Sequence, residues 1–312
     1  MSFRRVAVIG GSGFIGRYVV EDVAQSGAVV TVIGRHATEA MFLRPMGGVG
    51  QVALVNASLA EEDVLKAALR DCEAVVNCAG ILHEGGGQTF DLLHHQGPAR
   101  LARIAKAAGA SHFVHISALG ADANSPSSYA RSKAAGELAV REVFPAATIL
   151  RPSVVFGPED QFFNRFASMA CTLPFLPLIG GGLTRFQPVF VNDVADAVEA
   201  ALEQETARGR TFELCGPKVY SFKELMEMML LEIRRKKTLV SLPFGLASLK
   251  ATFLEWLPNP PLTRDQVKLL QRDNVLAPGA LTLLDLGVTP TAVELVLPMY
   301  MDRFRKGGRW AA

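Results

Sequence analysis

Residues 5–16 read RVAVIGGSGFIG, and this stretch decides the fold that the rest of the chain is predicted to adopt. Residues 6–9 form an unbroken apolar run, which is typical of a strand buried on both faces. Glycines spaced three apart follow, and the amphipathic run at residues 14–26 predicts a helix that ends at Gly27. The stretch therefore predicts a strand, a glycine-rich turn and a helix.

The spacing of the glycines indicates a turn that binds a dinucleotide. In such a turn the first glycine permits the tight reversal, and the second lets backbone N–H groups approach a pyrophosphate. The third lets the helix pack close to the strand, with its N-terminus directed at the negative charge. The alternative is an ordinary strand–turn–helix unit without a ligand. The cofactor contacts predicted from this turn are Gly10, Ser12, Gly13, Phe14, Ile15 and Gly16.

Composition and charge narrow the classes of function. Of the 312 residues, 49% are hydrophobic and 20% are charged, which predicts a sizeable apolar core rather than a disordered chain. The 32 basic and 30 acidic residues leave a net charge of +2, so we do not expect binding to nucleic acid through bulk electrostatics. No apolar run reaches the roughly 18 residues of a transmembrane helix, so no transmembrane segment is expected.

The cysteines and the start of the chain bear on the compartment. Cys72, Cys78, Cys171 and Cys215 form no C-x-x-C pair, which predicts reduced thiols, with neither a metal site nor a disulfide framework. The first predicted strand begins within a few residues of Met1, which leaves no room for a targeting segment before it. We therefore expect a cytoplasmic protein.

The first half of the chain alternates apolar and amphipathic runs, which predicts an α/β fold with a doubly wound parallel sheet of the Rossmann type. After Arg151 the pattern becomes looser. We expect a dinucleotide-binding domain at residues 1–151 and a smaller substrate-side lobe at residues 152–312, from which some segments return to the sheet. The later strands of the first domain are predicted at residues 29–33, 52–55, 74–78, 112–117 and 147–150. Its later helices are predicted at residues 61–69, 98–108 and 129–143.

The end of the second predicted strand bears on the choice of cofactor. Turns that bind NAD carry an acidic residue about twenty residues past the glycines, where it holds the ribose 2′-OH. Residues 33–36 read IGRH and include no carboxylate, whereas the planar guanidinium of Arg35 suits a 2′-phosphate. We therefore expect NADP(H) in preference to NAD(H). The alternative is that Arg35 is a solvated loop residue.

Two further strand ends are predicted to line the cofactor because of their positions. Residues 77–80 read NCAG, and the small residues Cys78, Ala79 and Gly80 would let the backbone approach the ribose and the nicotinamide. Asn56 follows the third predicted strand, at the place of the adenine, although it also suits an ordinary turn.

Ser117, Tyr129 and Lys133 form the candidate catalytic set. Tyr129 and Lys133 are four residues apart on one predicted helix, so their side chains are neighbours. An adjacent ammonium favours the phenolate, so we expect Lys133 to lower the pKa of Tyr129. Such a tyrosine can exchange a proton with a carbonyl or an alcohol while a nicotinamide transfers the hydride. We also expect Tyr129 and Lys133 to contact the cofactor, and Ser117 to bind the reacting oxygen.

With these motifs the chain resembles the extended and atypical short-chain dehydrogenase/reductases. The matching pieces are GGSGFIG (10–16), NCAG (77–80), HISALG (115–120), YARSK (129–133) and RPSVVFGPED (151–160). In that family the last piece helps to build the nicotinamide and substrate side. The resemblance therefore implies cofactor contacts from Pro152, Ser153 and Val154.

A narrower resemblance is to the dehydrogenase-like accessory subunit of respiratory complex I, its 39 kDa type. It rests on LRPMGGVGQ, SSYARSKAAGE, EDQFFNRFASMA, PVFVNDVADAV and LTRDQVKLL, at residues 43–51, 127–137, 159–170, 188–198 and 262–270. The resemblance implies tightly held NADPH with a structural role, and a partner in complex I or another membrane-associated complex. It also implies a ubiquinone link and a peripheral position at the inner face of the respiratory membrane.

The candidate catalytic set leaves a second function open. An intact set of serine, tyrosine and lysine favours an active NADP-dependent oxidoreductase or epimerase over an accessory subunit. Its substrate would be a small hydrophobic carbonyl or alcohol, and Ser117, Tyr129 and Lys133 would carry the reaction.

An apolar segment at residues 242–257 follows the basic run RRKK at residues 234–237. One interpretation is a surface that meets an anionic membrane or a larger partner. Proline and glycine interrupt the segment, and its only charges are Lys250 and Glu255. We therefore expect a solvated helix end followed by a helix packed on the smaller lobe.

Two local clusters are expected to be structural. Phe162, Phe163 and Phe166 have helical spacing and are expected to pack the smaller lobe, the alternative being a pocket for a quinone-like or lipid-like ligand. His94 and His95 have no partner at the spacing of metal ligands, so we expect a loop or a helix start there rather than a metal site.

Overall fold

The structure is a computed structural model that describes residues 3–257 and 260–308. It divides into two compact units. The first unit comprises Met1–Pro152, Val191–Leu214 and Gly279–Thr289. The second unit comprises Ser153–Phe190, Cys215–Pro278 and Pro290–Ala312. Each unit is therefore assembled from three separate segments of the chain.

Strands and helices follow one another along the described chain. The strands are β1 (Arg5–Ile9), β2 (Val29–Gly34), β3 (Val52–Asn56), β4 (Ala74–Asn77), β5 (His112–Ile116), β6 (Thr148–Pro152), β7 (Val155–Phe156), β8 (Phe175–Ile179), β9 (Arg185–Phe186), β10 (Val189–Phe190), β11 (Thr211–Leu214), β12 (Tyr220–Ser221) and β13 (Thr238–Leu242). The helices are α1 (Phe14–Gln25), α2 (Glu62–Ala68), α3 (Gly97–Ala107), α4 (Ser128–Val143), α5 (Phe163–Thr172), α6 (Val191–Glu203), α7 (Phe222–Glu232), α8 (Phe244–Leu254), α9 (Arg264–Leu269) and α10 (Val293–Met301). A π-helical segment, Asp91–Gln96, leads directly into α3.

The first unit is built on a seven-stranded parallel sheet in the order β11-β6-β5-β4-β1-β2-β3. Val6, Ala7 and Val8 of β1 are completely buried, as expected for a central strand covered on both faces. The order of the strands reverses between β1 and β4, and ligands of doubly wound sheets bind at the carboxyl ends of the strands at such a point. The predicted doubly wound sheet is confirmed, and β11 adds a strand that the sequence analysis did not identify.

The second unit has an apolar core of its own, to which α5, α7 and α10 contribute. Phe163 and Phe222 are fully buried in it. The rings of Phe162 and Phe166 lie with their centroids 6.1 and 5.2 Å from that of Phe222. The prediction that these phenylalanines pack the smaller lobe is therefore confirmed. No helix among residues 3–257 and 260–308 has both the length and the apolar character needed to cross a membrane.

Two glycines of the first unit determine how closely its helices approach the neighbouring backbone. A Cβ on Gly16 would lie 2.2 Å from the carbonyl O of Gly10, and a Cβ on Gly136 would lie 1.7 Å from the carbonyl O of His94. Real side chains do not tolerate such distances, so α1 packs on the turn and α4 packs on the π-helical segment only because these positions lack a side chain.

We expect Gly136→Ala to destabilise the protein by about 1–3 kcal/mol or more, the usual order of magnitude for overpacking. The reason is that backbone, rather than a flexible side chain, must move. Gly245→Ala on α8 is the matched control, since nothing lies within 4 Å of an added Cβ there. The control should unfold at the same or a higher urea concentration. Equal stability of Gly136→Ala and the unsubstituted chain would contradict the packing of α4 described above.

Candidate functional site

The turn after β1 leaves the N-terminus of α1 without a side-chain cap. Helix α1 begins after Gly13, and its first turn carries no acidic residue. Gly10 has a φ of +74°, in the left-handed region that favours glycine, and a Cβ there would lie 2.9 Å from the backbone N of Ala79. The first N–H groups of a helix lack partners within the helix, so this end of α1 suits an anionic ligand such as a pyrophosphate.

The loops after β2 and β3 lie beside this turn. A Cβ on Gly34 would make only ordinary contacts, the nearest being Ser12 Oγ at 3.8 Å, so packing does not fill the space at the end of β2. Arg35 follows and is exposed. The side-chain amide of Asn56 forms two hydrogen bonds with Thr38. Its Oδ1 accepts from the backbone N of Thr38 at 2.9 Å, and its Nδ2 donates to Thr38 Oγ1 at 2.8 Å. Asn56 therefore fastens the loop that follows β2.

The residues after β4 approach the candidate catalytic set. Cys78 and Ala79 are partly buried and Gly80 is exposed. A Cβ on Gly80 would lie 3.3 Å from Lys133 Nζ and 3.4 Å from His94 Nε2. A side chain at position 80 would therefore occupy the space in front of the lysine and the histidine, and glycine keeps that space available to a ligand.

The three cofactor contacts that the family resemblance implied around the end of β6 are divided between the two units. Pro152 ends β6 in the first unit, and Ser153 and Val154 begin the second unit. Ser153 is buried, and its Oγ donates to Oδ1 of Asn274 at 2.6 Å. Val154 packs against the apolar core of the second unit. Within its own unit, Ser153 thus has a structural partner.

Lys133 links the members of the candidate catalytic set. It is buried, with 4% of its surface exposed, and its Nζ donates to the carbonyl O of Ile116 at 3.3 Å. The same Nζ lies 5.9 Å from the centroid of the Tyr129 ring. Ser117 directly follows Ile116, so the structure brings α4 to the carboxyl end of β5 and places all three residues in one region.

Ser117 carries a buried hydroxyl. It is 3% exposed, and within the described residues its Oγ has no hydrogen bond. A buried hydroxyl left unpaired costs on the order of 1–3 kcal/mol, so such a group in a native structure calls for an explanation. An oxygen atom of a bound ligand would provide the missing partner, in agreement with the role predicted for Ser117.

Burial dominates the proton affinities in this region. It raises the pKa of Tyr129 to about 12 and lowers the pKa of Lys133 to about 8. The expectation that Lys133 lowers the pKa of Tyr129 is therefore wrong for the chain by itself. The reason is that burial disfavours the charged phenolate, while the Lys133 ammonium donates to the Ile116 carbonyl. Near neutral pH, Tyr129 carries its proton.

His94 lies beside Tyr129, a position that the sequence analysis missed because it considered this residue only as a metal ligand. It is completely buried, and its Nε2 accepts a hydrogen bond from the backbone N of Ile81 at 3.1 Å. Its Nδ1 lies 2.9 Å from Ser132 Oγ. Its ring stacks on Phe90 at 5.3 Å and meets Tyr129 edge to face at 5.4 Å. His94 therefore holds the tyrosine ring from the side.

The hydrogen bonds around His94 assign its tautomer. Ser132 Oγ donates to the carbonyl O of Tyr129 at 2.8 Å, so the hydroxyl must accept from His94 Nδ1–H. With Nε2 accepting from Ile81, the ring is neutral. Burial, with the nearby Lys133 charge, lowers the pKa of His94 to about 2, which agrees with this assignment.

His115 is a second buried, neutral histidine in the first unit. Its Nδ1 lies 3.1 Å from Asn77 Nδ2, and Asn77 Oδ1 accepts from the backbone N of Ala79. Burial lowers the pKa of His115 to about 3. This pair fixes the backbone that leaves β4, against which the glycine turn packs.

Comparisons with known proteins agree with the geometry. A sequence model of the NAD dependent epimerase/dehydratase family matches residues 6–215. The chain is similar to mitochondrial NADH dehydrogenase (ubiquinone) 1 alpha subcomplex subunit 9 of Arabidopsis thaliana, with 36% identity over 96% of this chain and 78% of that protein. It is also similar to a ceramide reductase of Caulobacter vibrioides, with 33% identity over 61% of this chain and 58% of that protein.

A solved structure shares the fold over nearly the whole length. The dTDP-glucose 4,6-dehydratase DesIV of Streptomyces venezuelae, solved with NAD bound, has a TM-score of 0.74 and covers 95% of each chain. At 19% identity, this likeness concerns the fold.

Burial of His94 and His115 predicts a loss of stability in acid. Their native pKa values lie below the ordinary 6.5, so the unfolded chain binds protons that the native chain does not, and stability falls as the pH falls below about 6.5. Each of these two histidines should lower the free energy of unfolding by roughly 2 kcal/mol between pH 7 and pH 5. Urea unfolding at both pH values measures this difference.

His94→Gln and His115→Phe should each reduce the difference in the free energy of unfolding between pH 7 and pH 5, whatever their effect on absolute stability. The unsubstituted chain is the reference for both variants. If both variants show the same pH dependence as the unsubstituted chain, the native pKa values of His94 and His115 are not depressed.

Proposed function

The chain belongs to the NAD dependent epimerase/dehydratase family, and we propose that it is a tightly NADP(H)-binding accessory subunit of the complex I alpha subcomplex subunit 9 type. The observation that carries this proposal is the extent of the similarity. The family model stops at residue 215, whereas the likeness to the Arabidopsis subunit covers 96% of this chain. The chain's partner would be a membrane-associated respiratory complex. Within this proposal, the chain could instead have a role linked to ubiquinone or to assembly of the complex.

In this role the cofactor stabilises the first unit. The N–H groups in the first turn of α1, at Phe14 and Ile15, would hold the pyrophosphate, because those of Gly10 and Gly13 already donate to the carbonyl O atoms of Ile33 and Gly10. Arg35 would hold a 2′-phosphate, with space left at Gly34. A ligand that binds only the native state, at one hundred times its Kd, adds about 2.7 kcal/mol to stability. A nicotinamide held there can accept or donate a hydride, but the accessory role does not require that chemistry.

Co-migration tests the accessory role directly. Membranes from the native source are solubilised gently, separated on a density gradient, and probed for the tagged chain and for NADH:quinone reductase activity. We expect the chain in the fractions that hold the activity. Migration as a small free species would contradict the accessory role and would favour an independent enzyme.

Two observations favour active reduction or epimerisation as a second candidate. Ser117 Oγ is a buried donor with no partner among the described residues, and part of the chain is similar to a ceramide reductase. The substrate would be a hydrophobic carbonyl or alcohol. Tyr129, which is protonated near neutral pH, would donate its proton to a carbonyl oxygen that Ser117 also binds. Lys133 would then stabilise the resulting phenolate.

We expect Arg35→Ala to weaken NADPH binding at least tenfold, because a charge-assisted hydrogen bond to a phosphate contributes roughly 1.5–3 kcal/mol. NADH lacks the 2′-phosphate, so its Kd should change less than twofold. Titration calorimetry measures both, with Arg70→Ala, another exposed arginine of the first unit, as the control. Equal losses for both dinucleotides, or no loss for either, would contradict the proposed preference for NADP(H).

Tyr129→Phe separates the two candidate functions. If the chain is an enzyme, loss of the phenol should slow NADPH-dependent reduction of long-chain ketones by a factor on the order of 10²–10⁴, the range of general acid catalysis. The Kd for NADPH and the co-migration on the gradient should not change. Turnover that survives the substitution would refute the proposed role of Tyr129.

A further inference from the structure

Helix α8 of the second unit presents three of its large apolar side chains outward. It packs inward through Ala247 and Ala251, both fully buried, in a small cluster with Val267 of α9. Leu246, Leu249 and Phe253 share the opposite face, and the turn after the helix adds two more residues. The exposed fractions are 54% for Leu246, 58% for Leu249, 73% for Phe253, 90% for Trp256 and 50% for Leu257. We call these five residues the α8 apolar face.

This arrangement is the reverse of a helix that packs on its own core. Such a helix turns its large side chains inward and its charges outward. Here alanines face inward, and Lys250 is the only charged residue within α8. The expectation that this segment packs on the smaller lobe is therefore correct for the alanine side and for Phe244, which packs on the same cluster, but not for the outward-facing leucines and Phe253. A contiguous apolar face of this kind on a folded chain marks a site of interaction.

The charges near α8 in sequence distinguish between possible occupants. Residues 234–272 contain eight lysines and arginines but only two acidic residues, a net charge of +6, whereas the whole chain carries +2. The two acidic residues are Glu255 and Asp265, and Glu255 already pairs with Arg264 at 2.9 Å. An anionic surface would complement this segment, whereas a second copy of the same segment would bring like charges together.

The composition of the α8 apolar face fits the interface of a lipid bilayer. Tryptophan combines a large apolar ring with one N–H donor and favours the boundary between hydrocarbon and water. Lys250 is exposed beside the leucines, and a lysine stem can lie along apolar surface while its ammonium reaches anionic headgroups. Basic segments at a membrane surface gain further attraction from anionic lipids.

We propose that the α8 apolar face docks on an anionic lipid bilayer, with Lys250, which is exposed on the same helix, directed at the headgroups. The contact is peripheral and shallow, as for helices that lie in the plane of an interface. It adds a direct contact with lipid to the proposed function and does not depend on it, since vesicle binding requires neither the cofactor nor a protein partner.

Sedimentation of the full chain with vesicles tests the proposal. The probes are vesicles of phosphatidylcholine alone and vesicles with about one third phosphatidylglycerol. We expect binding to the anionic vesicles, at least tenfold weaker binding to phosphatidylcholine, and a decrease with added salt. Phe253→Asp should weaken binding to the anionic vesicles at least tenfold. The control is Leu231→Asp on α7, since Leu231 is 74% exposed and also lies close in sequence to the basic run.

Fluorescence provides a second readout that does not disturb the α8 apolar face. The chain has two tryptophans, so Trp310→Phe leaves Trp256 as the single probe. Its emission should shift to shorter wavelength with anionic vesicles. Absence of binding, or equal binding by Phe253→Asp and Leu231→Asp, would overturn the proposal. Self-association that Phe253→Asp abolishes, without vesicle binding, would assign the face to a second copy instead.

Discussion

The close contact between the glycine turn and its surroundings is the constraint on which the rest of the first unit depends. Gly10 touches the backbone of Ala79, and Gly16 touches the carbonyl of Gly10, so β1, α1 and the end of β4 are fixed in one arrangement. The pairing of Asn77 with His115 extends that arrangement to β5. The uncapped N-terminus of α1 and the end of β5 therefore hold fixed positions at the same edge of one sheet.

The candidate site combines this rigid frame with polar groups that folding alone does not favour. The buried Oγ of Ser117 has no hydrogen bond within the part of the chain that the structure describes, and burial depresses the pKa of Lys133 while it raises that of Tyr129. His94 is held neutral between Ile81 and Ser132 and so places no second positive charge beside Lys133. In the absence of a ligand, these groups lower the stability of the folded chain. A bound anionic dinucleotide would offset part of that loss by interacting with the Lys133 ammonium.

Local sequence patterns predicted the strand, turn and helix at the start of the first unit. The features that they did not predict depend on contacts between residues far apart in sequence. Strand β1, the glycine turn and α1 are contiguous, so their pattern predicted them. Strand β11 is four residues long and reaches β6 only after the chain has left and re-entered the first unit, so no local pattern marks it. The partners of His94 are 13 and 38 residues away. A four-residue spacing placed Lys133 near Tyr129 but contained no information on burial, which decides the pKa of the tyrosine.

The central claim is that the first unit holds NADP(H) at the turn after β1 as a lasting part of the protein. The most direct measurement purifies the chain from its native source without added nucleotide, denatures it, and identifies the released nucleotide by chromatography and mass spectrometry. The account predicts close to one NADPH or NADP⁺ per chain. Release of NAD(H) alone would contradict the cofactor preference, and release of no dinucleotide would contradict the claim itself.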